Sequence, residues 1–156
     1  MLKQFKALLV MVYINIDVAG GSMALIWNET FNIGIKSIDQ QHKEINEYFS
    51  KLNEAISNKK SKEQIDPIIT RLIECMITHF HIEETYFDLI KYKDASEHIK
   101  EHGDLRIKVA SFYNSYTKGK SVISFEILEY YSTLLLNHFK SHDLKYAPFL
   151  IQNGIK

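Results

Sequence analysis

The chain of 156 residues has one cysteine, Cys75, only two prolines and six glycines, and no excess of charge of either sign. A single cysteine excludes a disulfide within the chain, and the scarcity of proline and glycine favours long helices over a turn-rich fold. Lys+Arg and Asp+Glu both number 19, so the formal net charge is zero. Because there is no basic excess, binding to nucleic acid or strong binding to a membrane surface is not expected. The length and composition predict one globular domain.

The first 22 residues resemble a targeting segment in outline, because two lysines precede an apolar run and small residues follow it. The run, residues 7–14, is eight residues long, far below the roughly 20 needed to span a bilayer. We favour a non-functional N-terminal extension, residues 1–22, that results from a mis-set start codon, with the true start at Met23; a signal or anchor and an extra structural element are the alternatives. The domain is predicted over residues 23–156 in the cytoplasm, whereas a genuine signal would place the protein in the periplasm or at a membrane.

Four segments carry apolar residues at three- and four-residue spacing, which is typical of amphipathic helices. They run from about Asp39 to Ser57, from Ser61 or Asp66 to Ile90, from Asp94 to Tyr116 and from Val122 to His142. Helices of about 20 residues are about 30 Å long, so the short loops between them can only return the chain antiparallel. The prediction is an all-α fold: an up-down-up-down antiparallel four-helix bundle, preceded by an irregular N-terminal arm, residues 23–38.

Capping patterns suggest where two of these helices begin. Ser61 with Gln64 would form a capping box, whereas Asp66–Pro67 would start the same helix later. Asp94 and Glu97 predict a capping box for the third helix.

Five of the seven histidines fall on the stripes that should face the core: His42, His79, His98, His102 and His138. An unpaired polar group in an apolar interior costs about 1–3 kcal/mol, so five imidazoles in one core need a shared partner. Neutral imidazole and carboxylate groups are common metal ligands. The pattern therefore predicts a metal site inside the bundle.

The spacing around these histidines selects the carboxylates. Two pairs lie four residues apart and so share a helical face: His79 with Glu83, and His98 with His102. Glu84 is five residues from His79 and should point away, so replacing Glu83, but not Glu84, is expected to abolish the site. His81 is expected at the surface or at the boundary of the core.

The last candidate ligand, Asp143, lies five residues after His138, which rotates it by about 140° around an α-helix. It can turn inward only if the helix ends or distorts there, and Pro148 downstream favours such a break. His142 is a weaker candidate, expected beyond the bundle core. In an up-down-up-down bundle all these groups lie toward the same end.

Seven ligands exceed the four of a tetrahedral zinc and suit two six-coordinate ions bridged by carboxylates. The Glu-x-x-His pairs of ferritin-like bundles and the HExxH motif of zinc proteases are both absent from the sequence.

The chain resembles the hemerythrins, specifically the single-domain bacterial hemerythrin-like proteins, over about residues 24–150. The segments that carry the resemblance are LIWNETFNIGIKSIDQQHKEIN, HFHIEE, HIKEH and HFKSHD, which fill every position of the family's His…HxxxE…HxxxH…HxxxxD pattern. The resemblance implies a di-iron centre with dioxygen as its ligand. One iron would be held by His98, His102 and His138 and the other by His42 and His79, with Glu83, Asp143 and an oxo or hydroxo group as bridges.

The resemblance also implies a function: reversible dioxygen binding, for oxygen carriage, storage or delivery, at the iron with fewer histidines. Leu136, two residues before the last histidine ligand, would line the oxygen pocket, and Cys75 is interpreted as a small core thiol. The alternatives are a di-iron oxidase or peroxidase, a protein that handles nitric oxide or repairs iron centres, and a sensor that acts through a separate partner. We favour oxygen binding over an enzyme; the sequence leaves open the oligomeric state and any protein that receives the oxygen.

Overall fold

The computed structural model describes residues 31–156, so the extension over residues 1–22 and the domain boundary at Met23 lie outside the described part. The helices are α1 Lys36–Ser57, α2 Lys62–Ile90, α3 Ala95–Thr117, α4 Phe125–His138 and α5 Leu144–Gln152, with one π-helical turn, Phe139–Asp143, between α4 and α5. No strand occurs within residues 31–156. The predicted all-α four-helix bundle is confirmed.

Two apolar clusters fill the interior. The larger draws on α1 to α4 and contains Ile45 and Phe80. The smaller joins the segment before α1 to the ends of the bundle and to α5, and contains Ile38 and Phe87. The described part of the N-terminal arm packs on the bundle through Ile35, which is fully buried in this smaller cluster. Along α1 and α2, the predicted ligands lie at the boundary between these two clusters.

At the start of each of the first two helices, a side chain accepts hydrogen bonds from backbone amides. The Asp39 carboxylate accepts hydrogen bonds from the amides of Ile33, at 2.6 Å, and Gly34, at 3.2 Å, so α1 starts at Lys36, earlier than predicted. The predicted capping box of Ser61 with Gln64 forms at the start of α2. The later start at Asp66–Pro67 is therefore wrong, and Pro67 lies inside the helix.

Three predictions about helix ends are wrong. Asp94 precedes α3 without a side-chain capping bond, so the capping box with Glu97 does not form. Helix α4 begins at Phe125 rather than Val122, because the Ser124 side chain accepts a hydrogen bond from the Ile127 amide at 3.4 Å. The fourth segment does not stop at His142 either: it continues through the π-helical turn to Gln152.

Within residues 31–156, none of the helices is both long and apolar enough to cross a membrane.

Candidate metal centre

Seven ionisable side chains from α1 to α4 and the π-helical turn meet at one level of the bundle. They are the predicted set: His42, His79, Glu83, His98, His102, His138 and Asp143. All are buried, and the most exposed, His98, shows 4% of its surface. Their ligand atoms form two overlapping groups, each within 4.8 Å, that share Glu83: one with His98, His102 and His138, the other with His42, His79 and Asp143.

The π-helical turn brings Asp143 into this cluster. In an α-helix, five residues would turn its side chain about 140° away from His138. Hydrogen bonds from residue i to i+5 widen the turn, so five residues roughly complete it. As a result Asp143 Oδ1 lies 3.1 Å from His138 Nε2. The distortion predicted at this point is present, but a π-helical turn supplies it, and Pro148 lies further on, inside α5.

Each carboxylate presents one oxygen to each side of the cluster. Glu83 Oε2 lies 2.9 Å from His102 Nε2, and Glu83 Oε1 lies 3.5 Å from His79 Nε2. Asp143 Oδ2 lies 3.1 Å from His42 Nε2, and its Oδ1 lies 3.2 Å from His98 Nε2. This is the arrangement in which two carboxylates can bridge a pair of ions.

The positions of the donor atoms suit binding to metal ions better than hydrogen bonding between the groups themselves. His79 Nε2, His98 Nε2, Glu83 Oε2 and Asp143 Oδ1 are buried and make no hydrogen bond of acceptable geometry, although His98 Nε2 is 3.2 Å from both carboxylates. Two ligands at about 2.1 Å from an ion and at right angles to each other are about 3 Å apart. The short, misaligned separations therefore suit groups that could share a metal ion.

Protonation in the cluster suits metal binding. Burial opposes ionisation of Glu83 and Asp143, but the surrounding histidines outweigh it and hold the pKa of each carboxyl well below its usual range. Burial lowers the pKa of His79, which keeps the ring neutral. Burial also disfavours charge on His98, but Asp143 and Glu83 outweigh it and raise the pKa to about 9. A bound cation would replace the proton on His98.

Further polar side chains orient the histidines from behind, and the sequence analysis did not identify them. Glu84 accepts a hydrogen bond from His102 Nδ1 at 2.8 Å and pairs with Arg106 at 2.9 Å. Gln41 Oε1 lies 3.3 Å from His79 Nδ1. Such partners fix the ring orientation and raise the basicity of a ligand. Glu84 does turn away from the centre of the cluster, as its spacing predicts, but that rotation places it against the outer nitrogen of His102.

Tyr146, in α5, holds the shared carboxylate. Its hydroxyl donates a hydrogen bond to Glu83 Oε1, and the residue is fully buried. Burial and then the charge of Glu83 raise the pKa of Tyr146 well above its usual value, so the hydroxyl stays a donor. Tyr146 lies three residues after Asp143, beyond the predicted end of the fourth helix at His142, so no signal in the sequence indicated this role.

Aromatic rings close the cluster off from the apolar core. Phe139 stacks on His42 with ring centroids 3.8 Å apart, and Phe80 stacks on His102 at 4.2 Å. Leu136 is buried in the larger apolar cluster. On the opposite side an open groove of about 510 Å³ reaches His98 and His142.

The remaining candidates lie outside the two ligand groups. His81 is exposed, as predicted. His142 is half-buried and stacks on His138 with ring centroids 5.4 Å apart, but it belongs to neither group. Cys75 packs on the larger apolar cluster, in agreement with its interpretation as a core thiol; burial raises the pKa of its thiol.

The fold and the site together define a four-helix-bundle protein with a buried cluster of histidines and carboxylates able to hold metal ions. The family model described as "Hemerythrin HHE cation binding domain" matches residues 33–150. The chain belongs to the hemerythrin family.

Curated relatives extend this similarity across most of the chain. A bacteriohemerythrin of Pseudomonas aeruginosa is 31% identical over 123 residues, which cover 79% of this chain and 79% of the relative. A bacteriohemerythrin of Clostridium acetobutylicum is 31% identical over 127 residues, 78% of this chain and 97% of the relative. A hemerythrin-like protein of Naegleria gruberi is 26% identical over 124 residues, covering 80% and 92% of the two chains.

Solved structures agree with the fold. A wild-type hemerythrin superposes with a TM-score of 0.72 at 25% identity, covering 79% of this chain and 95% of the other. A hemerythrin variant in which a leucine is replaced by alanine superposes with a TM-score of 0.74 at 26% identity, covering 81% and 97%.

Proposed function

We propose that this chain binds dioxygen reversibly at a pair of iron ions held by the seven buried side chains of the cluster. The observation that carries the proposal is the division of each carboxylate between two groups of histidines. Glu83 and Asp143 each turn one oxygen toward His79 and the other toward His98. Two ions bridged by two carboxylates account for this division, whereas one tetrahedral ion would need only four ligands.

The proposed ligands divide unequally. His98, His102 and His138 would hold one ion, and His42 and His79 the other, with Glu83 and Asp143 as bridges. The side with two histidines then has one protein ligand fewer, which supports an open coordination position there. Membership of the hemerythrin family supports the choice of iron and of dioxygen over other metals and ligands.

The iron pair, when bound, would supply the electrons and the open coordination position for dioxygen. The chain supplies the environment. Phe139 and Phe80 stack on ligand histidines and exclude water from that side of the cluster, and exclusion of water suppresses side reactions at a reactive centre. Glu84 keeps the outer nitrogen of His102 as a donor, and the Tyr146 hydroxyl fixes the orientation of Glu83.

Two leucines before His138 are candidates for the apolar wall of the oxygen pocket. The family resemblance assigns it to Leu136, two residues before His138 and therefore about 160° away around an α-helix. Leu135, three residues before, lies within about 60° of the same face. Both side chains are buried in the larger apolar cluster, so burial does not distinguish between them. Leu136 stays the proposed residue of the pocket wall, and Leu135 is the alternative.

Anaerobic reduction followed by exposure to oxygen tests the proposal. The full chain, purified with two irons, should gain visible charge-transfer absorption when oxygen is admitted and lose it again under vacuum. Glu83→Ala should prevent loading of the iron pair, because it removes the carboxylate common to both groups. A chain that binds fewer than two irons would refute the di-iron assignment.

The same experiment separates carriage from the alternatives. Rapid, irreversible oxidation with release of peroxide would favour a di-iron oxidase, peroxidase or sensor over an oxygen carrier. A slow loss of the oxygenated spectrum over many cycles of oxygen and vacuum is the result expected of a carrier.

A further inference from the structure

A second internal feature lies in the half of the bundle away from the histidine cluster. It is a partly open apolar cavity of about 40 Å³ between the four helices. Representative lining residues are Phe49 from α1, Leu72 from α2, Phe112 from α3 and Leu128 from α4. These residues lie toward the other ends of their helices from the ligands, so the cavity is separate from the candidate metal centre.

The chemistry of the wall decides what the cavity can hold. A water molecule needs about 10–15 Å³ and two to four polar partners, so the volume suffices for water. The wall formed by the described residues has no polar surface. Its one hydroxyl, on Tyr131, donates instead to the Lys108 carbonyl at 2.9 Å. Cavities of this kind stay free of water and accept small apolar molecules such as xenon.

The cavity has a short path to the surface. Ile73, Met76 and Val109 line both the cavity and an apolar groove of about 300 Å³ between α2 and α3. Ile73 and Val109 are only partly buried, so the wall shared by the cavity and the groove lies near the surface. Phe80, which stacks on His102, also lines the groove, so apolar surface is continuous from the cavity to the edge of the metal cluster.

We propose that this cavity is an internal binding site for a small apolar gas, of the class of dioxygen and xenon, reached through the groove between α2 and α3. The occupant is selected by size and by the lack of hydrogen-bonding groups, and its binding needs no metal. The site would hold a gas molecule roughly 11 Å from His79 along the axis of α2, which is about two helical turns. Because xenon does not react with iron, a test with xenon is independent of the proposed oxygen binding.

Xenon titration of the full chain, followed by NMR of labelled methyl groups, tests this site. The methyls of Leu72 and Met76, which line the cavity, should shift in a saturable way as xenon pressure rises. The methyls of Leu89, which is 70% exposed, should show only the small linear change of bulk solvent. Shifts at Leu72 and Met76 no larger than those at Leu89 would overturn the proposal.

A filling variant adds a matched comparison. Val109→Phe places a larger side chain in the wall and should weaken xenon binding at least tenfold. Ile107→Phe makes the same kind of change on the same helix at a residue that is 69% exposed and does not line the cavity, so it should leave binding unchanged. Equal xenon affinity in the two variants would overturn the proposal.

An enlarging variant covers the case in which Val109→Phe does not fold. Leu72→Val removes one methylene from the wall, which should enlarge the space and increase the xenon response of Met76. An unchanged response would contradict the site. Loss of the xenon response in a chain that still binds oxygen reversibly would refute this inference alone, and the reverse result would refute only the proposed function.

Discussion

Glu84 is placed to support the proposed metal centre although it lies outside the set of candidate ligands. Its carboxylate is about a quarter exposed, yet it connects the outer nitrogen of His102 to the Arg106 guanidinium. The hydrogen bonds from Arg106 and His102 together outweigh burial, which alone would raise the pKa of Glu84, so the net effect is a lowered pKa. Glu84 is therefore ionised at neutral pH and can fix the tautomer of His102.

Replacing Glu84 should weaken metal binding without abolishing it. Glu84→Ala is expected to lower metal affinity by about 10–100-fold, the usual effect of removing the partner of a ligand histidine. Metal content and competition with a chelator measure this. Glu74→Ala is the matched control, because Glu74 is a more exposed carboxylate on the same helix that pairs with Arg71 at 2.6 Å. Equal affinities in the two variants would show that Glu84 does not support His102.

The assignment of the oxygen pocket is also decided at single residues. If the wall is formed by the face of α4 that carries His138, Leu135→Ala should speed the irreversible oxidation of the reduced, oxygen-exposed protein several-fold, because it admits water to the centre. Leu136→Ala is the matched variant, equally buried in the larger cluster. A greater effect of Leu136→Ala would support the assignment that follows from the family resemblance. Stopped-flow spectroscopy of the two variants measures the difference.

At the scale of elements, the π-helical turn Phe139–Asp143 is the feature that completes the cluster. It lets one continuous helical segment present His138 and Asp143 to the same centre, despite a spacing that an α-helix would place on different faces. The same segment then carries Tyr146 back to Glu83. The register of this segment thus sets the positions of two candidate ligands and of the residue that orients a third.

A change of register in this turn should disrupt the centre. Inserting one alanine after Ser141, which is exposed, should rotate Asp143 by about 100° and reduce bound iron to less than half. Circular dichroism should show that the helices remain.

Two matched changes control for the insertion. One alanine inserted after Lys120, in the loop before α4, should leave the metal content unchanged. Deleting Ser141 leaves His138 and Asp143 four positions apart, on one face of an α-helix, so it should retain more iron than the insertion. Equal iron content in the insertion and deletion variants would argue against this role of the turn.

For the whole molecule, the buried cluster couples metal binding to pH. In the metal-free chain the proton on His98 is held by Asp143 and Glu83, which raise its pKa to about 9 against the opposing effect of burial. A pKa raised above the unfolded value of about 6.5 contributes stability fully below that pH, and the contribution is lost as pH rises through about 9. A metal ion must displace this proton before His98 can bind it.

Metal uptake by the metal-free chain should therefore release protons. Titration with a divalent metal in weak buffer at pH 7 is expected to release a proton from His98 for each chain loaded, and the release should fall as the starting pH approaches about 9. A pH electrode or an indicator dye measures it. His81→Gln, a change at an exposed histidine, should leave the release unchanged. Release that does not vary between pH 7 and 9 would contradict the role of His98.

The sequence determined most of the fold because its information is local. Apolar spacing defined four helices, and the short connections between them allowed only antiparallel neighbours. The four-residue spacings, such as that of His79 and Glu83, placed pairs of groups on one face. Helix ends were less certain. Asp94 and Glu97 have the capping pattern without the capping bonds, because a cap depends on backbone angles that the pattern does not specify.

Only the tertiary structure decided the features that need two helices in defined register. It placed Asp143 in the cluster through a π-helical turn and turned one oxygen of each carboxylate toward His79 and the other toward His98. It also showed Glu84 behind His102 and Tyr146 against Glu83. The spacing of residues along one helix fixes which face they share, but the meeting of side chains from different helices depends on how the whole bundle packs.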